Sequence, residues 1–351
     1  MKNVLLAAFA SLFISCNSSD ADAQPESSYF PPLPGSEWQT SPLSELGWDA
    51  GAATDLREFL DEKNTRAFII LVDGKIVMEE YFDGQTASSP WYWASAGKTL
   101  TTATTGIAQQ EGHLDVEDKV SDYLETGWTS APHGKEDLIT VRHLLTMTSG
   151  LDDTMGDDVS PANLHYLADA GTRWAYANVY VNLQDVVAQA SGEPFAQYFN
   201  TRLRDRIGMT GTWIPNGGLS VYWSNARSMA RFGLLMLNRG KWENEVILDQ
   251  AFFDDATQSS QALNQAYGYM WWLNGKQSYM LPQTQFNFSG SLVPTGPTDM
   301  VMALGKNDQK IYVVPSKNMV VIRMGNAADG ENFALSGFDQ ALWEKIAALY
   351  E

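Results

Sequence analysis

The pair Ser95 and Lys98 is the part of this sequence whose residue types and spacing could carry out chemistry. If a helix begins at Ser95, the two side chains lie one turn apart on the same face and can meet. A serine hydroxyl becomes a good nucleophile when a base removes its proton. A lysine can be that base when burial disfavours its charged form. The unpaired N–H groups at the start of the helix could also stabilise an oxyanion formed beside Ser95.

The same stretch has two other interpretations. Ser95 could simply cap a helix that carries Lys98 on its surface. Gly97-Lys98-Thr99 also resembles the end of a phosphate-binding loop. That motif needs a small residue five positions before Gly97, where Tyr92 stands, so we reject it.

The composition predicts one large domain or two closely packed domains, because 351 residues that are 44% hydrophobic can bury an extensive core. A net charge of -19 argues against a nucleic-acid partner, since phosphate binding needs a basic surface. The four histidines do not follow a metal-binding spacing; they are His113, His133, His143 and His165. We expect neither a metal ion nor an organic cofactor. The acidic residues between positions 152 and 158 are interpreted as a solvated loop.

The N-terminus predicts export. Lys2 precedes a short apolar run, which is typical of a signal peptide over residues 1–15 and is too short to span a bilayer as a stable helix. Cys16, the only cysteine, follows directly and resembles the lipidated cysteine of a bacterial lipoprotein. A plain secretory leader is the alternative. We expect a periplasmic or outer-membrane-associated lipoprotein, joined to its anchor by a flexible tether over residues 16–36.

The hydrophobic pattern predicts strands near both ends of the domain and helices between them. A hairpin turned by Asp73-Gly74 is predicted over residues 66–82. Helices are predicted over 49–63, 100–110, 139–151, 178–190, 195–206, 226–238 and 333–350, and further strands over 267–273, 300–304, 310–314 and 319–323. The simplest architecture is one antiparallel sheet, about residues 37–94 and 265–351, with a helical lobe, about residues 95–264, inserted between its halves. A cleft between the lobes suits a small-molecule site.

A second candidate group is Tyr176-Ala177-Asn178, which lies just before a predicted helix. A tyrosine hydroxyl beside a lysine can pass protons between the nucleophile and the leaving group. Asn178 can donate to a substrate carbonyl and help to hold Lys98. Two further Tyr-x-Asn triplets begin at Tyr180 and Tyr198, and we interpret both as positions within helices.

Ser95-Ala96-Gly97-Lys98 followed by Tyr176-Ala177-Asn178 resembles the serine β-lactamase and penicillin-binding-protein superfamily, whose Ser-x-x-Lys signature is a known catalytic motif. The resemblance is strongest to the class C β-lactamase-like branch, which includes DD-peptidases, family VIII-type carboxylesterases and 6-aminohexanoate-dimer hydrolases. It extends from about residue 38 to the C-terminus, with support at residues 139–151, 203–211 and 224–233. The resemblance implies an α/β fold of the β-lactamase/transpeptidase-like type, with an antiparallel sheet flanked by helices and an inserted all-helical lobe.

The third motif of that superfamily lies on a sheet strand that lines the cleft and reads Lys-Thr-Gly, or begins with His or Trp. In the matching stretch here, Lys306 takes the cationic position and could bind an anionic group of the substrate. By analogy, the backbone N–H groups of Ser95 and Gln309 would form the oxyanion hole.

Asp308 departs from the glycine that the third motif leads us to expect. A carboxylate beside the oxyanion would oppose its negative charge, so either Asp308 points away or the substrate is unusual. The alternative is that Asn307 and Asp308 only form a tight turn.

Together these features predict an exported serine hydrolase that cleaves an amide or ester bond through an acyl-enzyme on Ser95, with Lys98 and Tyr176 as general base and acid. The predicted substrate-binding residues are Asn178, Lys306 and Gln309. A β-lactamase or DD-carboxypeptidase acting on penicillins or cell-wall peptide is one alternative, although the altered third motif favours a generic hydrolase. A non-catalytic binding protein on the same scaffold and a lipid-tethered interaction module are the others.

Overall fold

The structure, a computed structural model, describes residues 28–33, 35, 37–330 and 335–351. The predicted signal peptide, Cys16 and most of the predicted tether lie outside the described residues. Its strands are β1 (Thr65–Val72), β2 (Lys75–Tyr81), β3 (Trp91–Tyr92), β4 (Thr212–Asn216), β5 (Leu219–Ser224), β6 (Lys241–Trp242), β7 (Glu245–Val246), β8 (Trp272–Leu273), β9 (Ser278–Met280), β10 (Asn287–Ser289), β11 (Val301–Gly305), β12 (Gln309–Val314) and β13 (Met319–Gly325). Its α-helices are α1 (Ala50–Glu62), α2 (Lys98–Gln110), α3 (Ser121–Leu124), α4 (His133–Glu136), α5 (Val141–Leu145), α6 (Asn182–Ser191), α7 (Phe195–Phe199), α8 (Ala226–Leu237), α9 (Gln250–Ala256) and α10 (Gly337–Ala347). No α-helix in this part of the chain is long and apolar enough to cross a bilayer.

Six antiparallel strands form the main sheet, in the order β2-β1-β13-β12-β11-β8. The first two strands come from the start of the chain and the other four from its end, as predicted. Asp73 and Gly74 turn the first hairpin with φ angles of 51° and 78°, the left-handed values of a two-residue hairpin loop. Every residue of β12 and β13 is buried, because helices cover both faces of the sheet.

The two faces of the sheet are covered by different helices. On one face α1 packs on β1 and against α10, and the ring of Tyr312 meets Trp343 of α10 edge-on at 5.5 Å. On the other face α8 packs on β12 and β13, where a Cβ added to Gly233 would lie 2.5 Å from Val320. The predicted lobe boundary at residue 264 assigned α8 to the helical lobe. In the structure α8 instead covers the main sheet.

The inserted region is built around α2, which is buried from Lys98 to Ala108 and packs on α6 and α9. It is mainly helical, but it also contains a three-stranded sheet, β3-β5-β4, and the hairpin β6-β7. Neither of these β elements is predicted by the hydrophobic pattern of the sequence. Most of β4 is exposed and it contains Pro215, so it lacks the alternation that identifies a strand.

In two predicted elements, a residue with positive φ ends the regular structure early. The predicted helix over residues 139–151 is an α-helix only in α5, because Met147 has a φ of 60° and the chain leaves the helix. Gly150 also has positive φ and lies against the Ala168 carbonyl, where a Cβ would clash at 2.2 Å. The predicted strand over residues 267–273 is reduced to β8, since Met270 has a φ of 60°.

Candidate active site

Ser95 lies in a 3-10 turn, Ala94–Gly97, between β3 and α2. Trp93 fixes this turn from behind: it is fully buried, and its indole N–H donates to Ser224 Oγ at 2.7 Å. Ala94 has a φ of 47°, a left-handed conformation that is unfavourable for a residue with a Cβ. The α-helix begins at Lys98, two residues before the predicted helix over 100–110, and Ser95 stands in a strained turn just before it.

The predicted pair meets in the structure. Lys98 Nζ donates a hydrogen bond to Ser95 Oγ at 3.0 Å, and the Lys98 residue is only 3% exposed. Burial lowers the pKa of Lys98 to about 7, although the negative charge of Asp157 acts to raise it. A large fraction of the amine is therefore neutral near pH 7 and can accept the serine proton.

Tyr176 contacts the same serine. Its side chain is hydrogen-bonded to Ser95; burial raises the pKa of Tyr176 to about 12, and this hydrogen bond opposes the rise. The phenol therefore stays protonated at neutral pH. The segment before it is held by the buried ring of Trp174 and by a hydrogen bond from Ala175 N–H to the Met147 carbonyl at 2.8 Å. The structure thus brings the three predicted catalytic side chains to one point.

Asn178 lies near this group but has a different partner from the one predicted. Its amide donates to Asp157 Oδ1 at 2.6 Å, whereas its predicted role was to help hold Lys98. Asp157 was interpreted only as part of a solvated acidic loop. The structure places its charge close enough to Lys98 to raise the lysine pKa, so Asp157 is a functional candidate that sequence reasoning missed.

The strand that faces Ser95 is β11. Its first two residues pair with β8, and beyond them its free edge packs on the turn that carries Ser95. Gly305 lies so close that an added Cβ would be 2.5 Å from the Trp93 carbonyl oxygen and 3.0 Å from the Ala96 nitrogen. Only glycine allows this approach. Lys306 follows in the turn, exposed, and its ammonium group has no hydrogen-bond or salt-bridge partner among the described residues.

Gln309 does not lie in the cleft, which corrects its predicted role as a substrate-binding residue and oxyanion donor. It is 0% exposed, in a strand with neighbours on both sides. Its side-chain amide donates to the carbonyl oxygens of Asn307 at 2.8 Å and Gly325 at 2.7 Å. Gln309 therefore holds the hairpin turn together. The open backbone near Ser95 is that of Gly305 and Lys306.

Asp308 also points away from the cleft, which resolves the alternatives left open above. Asn307 and Asp308 have φ angles of 60° and 59° and form the turn between β11 and β12. The Asp308 carboxylate is fully buried, where it accepts hydrogen bonds from Ala328 N–H at 3.0 Å and Ser336 Oγ at 2.7 Å. It therefore does not oppose charge that develops beside Ser95.

A buried ionic cluster supports this turn from behind. Arg323 Nη1 donates to the backbone carbonyls of Asn307 at 2.9 Å and Asp308 at 3.0 Å. Lys310 Nζ lies 3.2 Å from Asp308 Oδ1 and 2.8 Å from Asp339 Oδ2. Because these side chains are fully buried, each charge depends on its partners, and the cluster fixes the position of the hairpin.

Two of the four histidines, His143 and His165, make hydrogen bonds within the protein. His143 Nδ1 accepts a hydrogen bond from Thr140 N–H at 3.0 Å and completes the capping box of α5. His165 Nδ1 lies 2.9 Å from Ser130 Oγ. Across the described ranges, no three or more His, Cys, Asp or Glu side chains are grouped so that they could hold a metal ion.

Comparison with known proteins identifies the family. Residues 55–342 match the Beta-lactamase family, and the chain belongs to it. A 6-aminohexanoate-dimer hydrolase from Paenarthrobacter ureafaciens is 22% identical over 338 residues, covering 82% of this chain and 79% of that protein. Penicillin-binding protein 4* from Bacillus subtilis (strain 168) is 30% identical over 146 residues, which cover 36% of this chain and only 31% of that relative.

A solved structure agrees with this assignment. A class C beta-lactamase mutant has a TM-score of 0.63 at 16% identity, covering 88% of this chain and 96% of that one. The predicted fold class, an antiparallel sheet flanked by helices, is confirmed. In general terms, the protein is a serine hydrolase of the beta-lactamase family.

Proposed function

We propose that this protein hydrolyses an amide or ester bond through an acyl-enzyme on Ser95. The proposal rests on one observation: Ser95 Oγ accepts a hydrogen bond from a buried Lys98. In acylation, neutral Lys98 takes the serine proton while Oγ forms a bond to the substrate carbonyl carbon. As the C–N or C–O bond breaks, Tyr176 donates its proton to the leaving amine or alcohol and is reprotonated by Lys98. Water then attacks the ester by the reverse route, which releases the acid and restores Ser95.

The oxyanion would be held by backbone N–H groups. One is that of Ser95, in the turn before α2. The other comes from the free edge of β11 at Gly305 and Lys306, since this is the sheet backbone that packs on the Ser95 turn. Such fixed donors stabilise negative charge without reorganising during the reaction.

The cleft favours a neutral amide or ester over a β-lactam. Asn307 stands at the threonine position of the Lys-Thr-Gly motif, and its side-chain amide already donates a hydrogen bond to Tyr92 Oη at 2.7 Å. The exposed Lys306 is the one residue of that stretch that could still meet a substrate carboxylate. A relative that spans most of this chain is a 6-aminohexanoate-dimer hydrolase by name, which supports an acyclic amide substrate.

Active-site labelling tests the mechanism. We expect a fluorophosphonate to modify Ser95 in protein that lacks residues 1–16, with the adduct mapped by peptide mass. The label should disappear in Ser95→Ala and in Lys98→Ala. An unlabelled, folded wild-type protein would favour a non-catalytic binding role.

Substrate profiling tests the class of bond. We expect short p-nitrophenyl esters and p-nitroanilides to be turned over with a higher kcat/KM than nitrocefin. Efficient nitrocefin hydrolysis that is lost in Lys306→Ala would instead assign a β-lactamase with a carboxylate site at Lys306.

We also propose that the protein is exported as a lipoprotein through Cys16. The support is the sequence of the leader alone. Metabolic labelling with a fatty acid should modify the wild-type chain and leave Cys16→Ser unlabelled. A wild-type chain that is secreted without the lipid would identify a plain secretory leader.

A further inference from the structure

Two tyrosine rings enclose the amine of Lys98. Lys98 Nζ lies 5.0 Å from the ring centroid of Tyr176 and 4.3 Å from that of Tyr180. Both distances are within the range of roughly 6 Å in which a cation is attracted by an aromatic face. Tyr180 belongs to the 3-10 turn Asn178–Val181 and is 6% exposed. The sequence pattern alone indicates no more than an ordinary helix position for Tyr180.

The rings matter because Lys98 has no close counter-charge. Within the described part of the chain, no carboxylate oxygen lies within 4 Å of its amine. Asp157 acts from a greater distance, and one of its carboxylate oxygens accepts a hydrogen bond from Asn178. Yet Lys98 must become an ammonium ion whenever Ser95 gives up its proton. Something in the pocket has to stabilise that charge.

We propose that Tyr180 is a positioning residue for Lys98: its ring face stabilises the ammonium form and holds the amine against Ser95. This inference rests on the proposed function, in which Lys98 cycles between its neutral and charged forms. An adjacent carboxylate would favour the ammonium ion so strongly that the base would be protonated at rest. A ring face attracts a cation more weakly than a carboxylate does, so it supports the transient charge and still allows the neutral amine.

The other groups that face Lys98 do not compete with this role. Ser95, on the preceding turn, is its hydrogen-bond partner. Burial raises the pKa of Tyr176 to about 12, so its phenol is neutral at neutral pH. Tyr267, whose ring packs edge-on against that of Tyr176, is also neutral, because burial raises its pKa well above the usual value. Asp157, on the acidic loop, is the one group whose charge acts on Lys98 from outside the pocket.

The test measures the titration of Lys98 directly and preserves the shape of the pocket. Lysine labelled with ¹³C at Cε is followed by NMR from pH 5 to 9, with the Lys98 signal assigned from its absence in Lys98→Ala. Position 180 carries tyrosine, phenylalanine or pentafluorophenylalanine, the last of which has the ring shape without the electron-rich face. We expect Tyr180→Phe to titrate like the wild type. Pentafluorophenylalanine should move the titration midpoint of Lys98 to lower pH by about 0.5 pH unit or more. An unchanged midpoint would overturn the proposal.

A kinetic readout and a matched control complete the experiment. The pH dependence of fluorophosphonate labelling at Ser95 should move with the NMR midpoint. Tyr198→Leu removes another buried tyrosine, one whose ring faces Arg202 at 5.0 Å, and it should leave the Lys98 midpoint unchanged. If Ser95 is never labelled but the NMR midpoint still shifts, the proposed function fails while the role of Tyr180 stands. If labelling occurs and the midpoint does not respond to fluorination, only the role of Tyr180 fails.

Discussion

The side-chain amide of Asn307 donates a hydrogen bond to the hydroxyl of Tyr92 at 2.7 Å. Tyr92 ends β3, three residues before Ser95, and Asn307 lies in the turn between β11 and β12. The bond therefore joins the turn that carries the nucleophile to the hairpin whose open backbone faces it. This contact fixes the relative position of the two halves of the proposed oxyanion site.

Breaking this bond from either side should have the same effect. We expect Asn307→Ala and Tyr92→Phe each to lower the rate of Ser95 labelling by about 5-fold, the equivalent of the roughly 1 kcal/mol of one hydrogen bond. The double variant should be no slower than either single variant, because both remove the same interaction. The comparison uses labelling rates measured at a pH high enough to keep the amine of Lys98 neutral. Losses that simply add would show that the two residues act independently.

The pH dependence of the reaction should report the burial of Lys98. Because its pKa is lowered from 10.5 to about 7, activity that needs the neutral amine should rise with pH through about 7 and then level off. Lys98→Arg should be slower by about 10³-fold with no such rise, since a guanidinium remains charged. The measurement is kcat/KM for a p-nitrophenyl ester from pH 5 to 9. A rate that is already constant at pH 5 would contradict Lys98 as the base.

The burial of Lys98 should also lower the free energy of unfolding. Its pKa in the folded state lies below the unfolded value, so the unfolded chain binds more protons between about pH 7 and 10.5. The destabilisation of the folded state by Lys98 is fully present below about pH 7 and is lost as the pH rises toward 10.5. We expect Lys98→Met to abolish labelling and to raise the free energy of unfolding at pH 6 by about 1 kcal/mol or more. Exposed Lys241→Met is the control, and equal effects of both changes would refute the argument.

Local patterns in the sequence were enough to predict the elements that frame the site. Two β-rich runs joined by Asp73-Gly74 identified the first hairpin, and helical spacing identified α2. The pair Ser95 and Lys98 was found because its geometry depends on one helical turn, which the spacing alone specifies.

Contacts between distant segments could not be predicted in the same way. Nothing near Asn178 in the sequence indicates that its partner is Asp157, since the pairing depends on how the acidic loop folds back. The misassigned role of Gln309 has a similar cause. Matching residues to a motif does not reveal which strand has a free edge, and Gln309 is enclosed by neighbours on both sides.

Removing the charge of Asp157 should shift the pH profile. Asp157 raises the pKa of Lys98, so Asp157→Asn should move the acidic limb of the labelling rate to lower pH. The neighbouring Asp158→Asn is a matched control, because this exposed carboxylate binds Ser160 instead. The shift should shrink in 1 M salt, which screens charges across solvent. An acidic limb of the pH profile that moves equally in both variants would show a general effect of net charge rather than a specific effect of Asp157 on Lys98.

The buried cluster behind the hairpin should dominate its stability. Asp339 accepts hydrogen bonds from Lys310 Nζ at 2.8 Å and Tyr312 Oη at 2.6 Å, with all three side chains shielded from water. Asp339→Asn removes a charge that Lys310 needs, and we expect it to lower the free energy of unfolding by about 3 kcal/mol. Asp254→Asn, which breaks an exposed pair with Arg239, should cost less than about 1 kcal/mol. Urea unfolding of both variants gives the comparison, and similar small losses would mean that the cluster does not depend on its charges.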